Sequence, residues 1–124
     1  IVETARELGI PVLNGGTAVV IQGPRFSTQA ESRWFQQMGW DVLSMTQHPG
    51  TVLARELAMC CVNLSFVSDL DAGVEGVQDE PVTAGVVWRR MAEGQQRIRT
   101  ALLTFISRIP EARDCRCGDA LIDL

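Results

Sequence analysis

GTAVVIQGPRFSTQAESRWFQQMGWDVLSM, residues 16–45, decides how this chain is read. Residues 17–22 are an unbroken β-branched and apolar run, the pattern of a strand covered on both faces rather than one with a wet side. Gly23 and Pro24 end it. Four residues later Thr28-x-x-Glu31 has the spacing of a capping box, in which each residue satisfies a backbone or side-chain group of the other at a helix start. Trp34, Phe35 and Met38 then give that helix one apolar face, and Gly39 stops it. WDVLSM, residues 40–45, reads as a second strand. A strand, a helix and a strand within thirty residues imply parallel pairing through a right-handed crossover.

Working outward, the alternation continues. Residues 51–59 (TVLARELAM) read as a helix and residues 60–69 (CCVNLSFVSD) as a third strand. Upstream, residues 1–8 have helical spacing and end at Gly9. Downstream, residues 72–81 are rich in Gly and acid and read as a loop, expected to be the least ordered internal stretch. Residues 82–109 form a long amphipathic helix, with Trp88, Met91, Ile98, Leu102, Phe105 and Ile109 recurring at helical intervals before Pro110 ends it. The expected fold class is α/β, a parallel or mixed sheet flanked by helices. Three strands are few for a sheet that must be covered on both faces and guarded at its edges. The reading is therefore a C-terminal half, whose sheet either upstream residues or a partner completes, with residues 110–124 as a polar tail. Alone, such a half is expected to be prone to aggregation.

Composition narrows the function classes. The 124 residues carry a net charge of −4 with their 11 basic residues, all Arg, dispersed along the chain, which argues against a nucleic-acid backbone as partner. No apolar run approaches the roughly 18 residues of a membrane span, and no secretory pattern opens the chain. The expected setting is cytoplasmic, without nucleic acid or membrane as partner. The four cysteines fall as Cys60-Cys61 and Cys115-x-Cys117. The first pair reads as small buried hydrophobes, the second as exposed reduced thiols with a local disulfide as the alternative. A single C-x-C with no second pair or neighbouring His falls short of a four-ligand zinc site.

In open parallel α/β sheets, ligands bind beyond the carboxyl ends of the strands. Three segments fall there: GPRFS after the first strand, MTQHP after the second, DLD after the third. Asp69 and Asp71, two residues apart, can aim two carboxylates into one cleft. A solvated loop is the alternative, and no further oxygen ligand nearby supports a metal. Phe26 can stack on a ligand or plug the core. Arg25 can bind or merely brace. Met45 can line a site or pack inside. His48, the only histidine, reads as a turn residue before Pro49 rather than as a base.

Together, GTAVVIQGPRFSTQAESRWFQQMGWDVLSMTQHP and LARELAMCCVNLSFVSDLD resemble the C-terminal half of the trimeric purine nucleoside phosphorylases, on the 5′-methylthioadenosine phosphorylase branch. The resemblance covers about residues 1–109. It implies phosphorolysis of the N-glycosidic bond of a purine nucleoside, with inorganic phosphate as cosubstrate, no cofactor, no metal and a homotrimeric assembly. By that resemblance Phe26 and Ser27 lie at the base, Met45 at the ribose, and Thr46 at the phosphate. Asp69 meets N7 and the 6-amino group, with Asp71 assisting. Relatives acting on 6-oxopurines carry Glu in place of Ser27 and Asn in place of Asp69, so this pattern implies a 6-aminopurine. Ala84, Val87 and Trp88 fall at the 5′ pocket and are apolar, which suits a methylthio group. The phosphate loop and the phosphate-binding arginine are implied to lie upstream of Ile1. Two alternatives stand beside this expectation: a 6-oxopurine nucleoside phosphorylase, and a non-catalytic nucleoside-binding or assembly module.

Overall fold

In a computed structural model that describes residues 1–71 and 83–122, the chain runs α1 (Val2–Glu7), β1 (Ala18–Val20), α2 (Gln29–Gln37), β2 (Val42–Ser44), α3 (Gly50–Glu56) and α4 (Ala84–Ser107), with a short 3-10 turn over Arg116–Asp119. Segment 72–81, read above as a mobile loop, lies outside the described residues. β1 and β2 pair in parallel, Ala18 opposite Val42 and Val20 opposite Ser44. The amides of Asp41 and Val42 bond to the Thr17 carbonyl, and that of Ile21 to the Ser44 carbonyl, so pairing extends past both ends of the three-residue ladder. Asp41 Oδ2 also accepts from the Thr17 amide at 2.7 Å. Gly16, at φ 131°, makes room for it: a Cβ there would stand 3.0 Å from the same oxygen.

The crossover forms as its sequence dictates. Thr28 Oγ1 accepts from the Glu31 amide at 3.2 Å, and Glu31 Oε2 accepts from the Thr28 amide at 2.7 Å, a complete capping box. Gly39 takes the left-handed conformation that ends α2 (φ 70°). Phe35 is buried, and its ring centre lies 5.8 Å from that of Trp40, which holds α2 against the entry to β2. Arg25 proves to be a brace. Its guanidinium grips Glu31 through two hydrogen bonds of 2.8 and 2.9 Å, fixing the GPRFS turn to the first turn of α2.

That grip, with the Thr28 amide and hydroxyl, lowers the Glu31 carboxyl from 4.5 to about 2. A depressed folded-state value means that its contribution is present above the unfolded value and is lost as pH falls through about 2. Melting temperatures of the full-length protein and of Glu31→Gln should therefore differ at neutral pH and converge between pH 4.5 and about 2. A gap that stayed constant over that window would show that the ionised carboxylate does not support the turn.

Two expectations change. The third strand, 60–69, forms no ladder among the described residues, and residues 60–67 are exposed. Its apolar run reports what those side chains would do under cover, whereas strand structure needs a hydrogen-bonding neighbour, and the sheet described here has only two strands. Cys60 and Cys61, read as buried hydrophobes, are likewise exposed. The second change is the end of α3, which stops at Glu56 because Ala58 turns to φ 52°.

α1 packs on the C-terminal part of α4. Ala5, Ala101 and Phe105 are buried there with Ile10 and Val12 against them, and Arg108 bonds to Glu7 and to Thr4 Oγ1. The chain exposes 9735 Å², against about 6,600 Å² for a compact monomer of 13.6 kDa. Among its exposed side chains, Trp34 and Trp88 are more than half exposed. No helix of the described residues is long and apolar enough to cross a membrane.

Candidate functional site

Beyond the carboxyl end of β1, the turn at Gly23 touches the exit of β2: a Cβ at Gly23 would lie 3.1 Å from Met45 Sδ and 3.3 Å from Met45 Cβ. A side chain at position 23 would press on Met45 by a few tenths of an ångström, so glycine suits this close approach of the two strand ends. The Gly23–Pro24 and His48–Pro49 peptide bonds, one in each strand-end turn, are both cis. Met45 is half-buried and Thr46, next along, is exposed, its amide 3.3 Å from Ser44 Oγ. Phe26 stands 44% exposed on the outside of the first turn. It does not plug the core.

The third segment joins through Ser27. That side chain is buried (7% exposed), donates to Asp71 Oδ1, and lies 2.9 Å from Ser32 Oγ. With one proton per hydroxyl, Ser27 gives its own to the carboxylate. Ser32 then turns its proton to Ser27 or to the Thr28 carbonyl, 3.1 Å away. Ser27 thereby orients Asp71, 44 residues along the chain, and places it beside the GPRFS turn. Asp69 lies two residues before, and its Oδ2 accepts from Ser68 Oγ at 2.7 Å. One oxygen is thus engaged locally.

α4 closes the arrangement. Thr83 caps it, its hydroxyl accepting from the Val86 amide at 3.3 Å. Arg90 Nη1 donates to the Ser68 carbonyl at 2.8 Å, and a Cβ at Gly94 would lie 2.8 Å from Phe66 Cζ, so the first half of α4 lies against the segment that delivers Asp69. Ala84, Val87 and Trp88 fall at helical spacing on one face, while Val86, on another, is buried.

The structure thus links the Gly23 turn to Met45, Ser27 to Asp71, and the segment before Asp69 to α4. Sequence reasoning named Ser27, Met45, Asp69 and Asp71 but missed two residues that support these links, Ser32 and Arg90. Ser32 carried a signal, since it precedes the buried Phe35 by three and shares its helix face. Arg90 carried another, following the buried Val86 by four. An open depression of about 410 Å³, lined by Thr17, Val20, Gln47 and His48 among others, shares none of these residues, and His48 is exposed.

Comparison with known proteins gives a concordant picture. The family model of the phosphorylase superfamily matches residues 1–107. S-methyl-5′-thioadenosine phosphorylase from Pyrococcus abyssi is 49% identical over 120 residues, which are 97% of this chain and 45% of that protein. Purine nucleoside phosphorylase from Streptomyces coelicolor is 46% identical over 111 residues, 88% of this chain and 39% of that protein. Among solved structures, a mutant adenosine/methylthioadenosine phosphorylase from Schistosoma mansoni in complex with adenine superposes with a TM-score of 0.80 at 27% identity, covering 96% of this chain and 47% of that one. The chain spans about half the length of the curated relatives it matches.

Proposed function

The chain belongs to the phosphorylase superfamily, and from that premise we propose that the full protein cleaves 5′-methylthioadenosine with inorganic phosphate, giving adenine and 5-methylthioribose 1-phosphate. The observation that carries this reading is the pair of carboxylates at the sheet edge, Asp71 tied to the GPRFS turn through Ser27 and Asp69 beside it. Relatives that bear the methylthioadenosine phosphorylase name at 45–49% identity support it.

In the proposed reaction, phosphate oxygen attacks the anomeric carbon as the C–N bond to the base breaks, and the electron pair of that bond leaves on the purine. Negative charge collects on the base, and a carboxyl group that shares a proton with N7 stabilises it where it develops. Asp69 is assigned that position, together with the 6-amino group, and Asp71 assists. Phe26 lies against the purine, Met45 packs on the ribose, and Thr46 reaches the phosphate. The apolar face of Ala84, Val87 and Trp88 receives the 5′-methylthio group. Phosphate is the only cosubstrate in this reading, with no metal or organic cofactor. The working form is a cytoplasmic homotrimer in purine and methionine salvage, with residues 110–124 outside the phosphorylase domain proper.

Full-length protein supplied with phosphate should release adenine from 5′-methylthioadenosine faster than it releases hypoxanthine from inosine. Faster cleavage of inosine would move the assignment to 6-oxopurines. Nucleoside binding by calorimetry without release of base would make the protein a binding module and end the enzymatic reading.

A further inference from the structure

The residues after Pro110 return to the body of the chain. Arg113 Nη1 donates to the carbonyl of Ala58 at 3.1 Å, at the turn two residues before Cys60. The return brings three thiols together: Cys60, Cys115 and Cys117 hold their Sγ atoms within 4.8 Å of one another, and Cys60 and Cys115 are 3.3 Å apart. In sequence the cluster is invisible, because its members are 55 and 57 residues apart and the C-x-C pair reads as local. Cys61 is exposed but is not a member of this trio.

We propose that Cys60, Cys115 and Cys117 form a three-thiolate site for a thiophilic d10 cation, with Zn(II) completed by one exogenous ligand as its natural form. The chemistry follows from the donors. Soft thiolates select Zn(II) or Cu(I) over the hard cations, and neither histidine nor carboxylate belongs to the trio. Tetrahedral Zn–S bonds of about 2.3 Å place sulfurs roughly 3.8 Å apart. The 3.3 Å between Cys60 and Cys115, and the 4.8 Å within which all three Sγ atoms lie, put the trio within about 1 Å of that spacing. Cys60 and Cys115 are exposed and Cys117 is half-buried, which leaves the fourth position open to water. Binding releases the three thiol protons to solvent and forms three metal–sulfur bonds, with no change of oxidation state. The site shares no residue with the proposed nucleoside site, so it stands or falls independently of the phosphorylase assignment. It anchors the C-terminal segment to the end of α3.

The test uses reduced full-length protein and Zn(II), with a colorimetric chelator as competitor and thiol alkylation read by mass spectrometry. One zinc per chain is expected, protecting Cys60, Cys115 and Cys117 from alkylation while Cys61 reacts. Cys61→Ser should bind as the parent does, and Cys60→Ser and Cys117→Ser should each lose at least about a hundred-fold in affinity, beyond the usual effect of an outer-shell partner. Cobalt(II) in place of zinc should give a thiolate charge-transfer band that Cys60→Ser weakens. Equal alkylation of all four cysteines with zinc present, or affinity unchanged in both Cys60→Ser and Cys117→Ser, would overturn the proposal.

Discussion

Replacing Asp69 with Asn in the full-length protein is expected to lower kcat/KM for 5′-methylthioadenosine by about ten- to a few hundred-fold while raising the ratio of inosine to methylthioadenosine turnover. The direction follows from the local geometry. Ser68 Oγ donates to Asp69 Oδ2 at 2.7 Å, so an amide at this position keeps its oxygen toward Ser68 and turns its NH₂ to where Oδ1 stood. The outward group changes from acceptor to donor. A 6-amino group then meets a donor, and N7 loses its proton-sharing partner. A 6-oxo group gains a match. Mispairing a polar group at a desolvated site costs roughly 1–3 kcal/mol, the scale of the expected change. Steady-state kinetics with both nucleosides decides it. An equal fall for the two substrates would mean that Asp69 does not read the 6-position.

Asp71→Ala is expected to cost about ten- to a hundred-fold in kcat/KM, the worth of roughly 1.5–3 kcal/mol for a hydrogen bond to a charged group. Its acceptor holds Ser27, and through Ser27 the GPRFS turn that carries Phe26. Stability should fall less than activity. Ser27 and Ser32 are buried 2.9 Å apart and the Thr28 carbonyl is within reach of Ser32, so the two hydroxyls can re-pair with each other once the carboxylate is gone. Asp71→Asn retains an oxygen for Ser27 and should restore most of the stability, and less of the activity if charge matters. Denaturant midpoints measured beside the kinetics separate these effects. Activity unchanged in Asp71→Ala would remove this carboxylate from the site.

Local chemistry was legible in the sequence wherever neighbours along the chain supply both halves of an interaction. The Thr28–Glu31 box, the stop at Gly39 and the long amphipathic helix before Pro110 are of this kind, and so is the parallel pairing of two apolar runs around one crossover helix. Interactions across tens of residues were not legible. Nothing in GPRFS announces that Ser27 turns inward to Asp71 rather than standing free beside Phe26, since a serine in a turn serves either purpose. The run 60–69 misled for the complementary reason, because β-branched and apolar content records a preference for cover without naming the strand that provides it. The thiol trio needed the fold, as Arg113 and the turn at Ala58 bring Cys115 and Cys117 to Cys60. What identified the family was the joint spacing of three strand-end segments, each weak alone.

The most direct test of phosphorolysis follows the sugar released with adenine. Full-length protein, 5′-methylthioadenosine and inorganic phosphate, monitored by phosphorus NMR with adenine measured in parallel, should yield one phosphorylated sugar per adenine and no base when phosphate is withheld. Adenine released with unphosphorylated sugar, or at the same rate without phosphate, would make the reaction a hydrolysis and contradict the account.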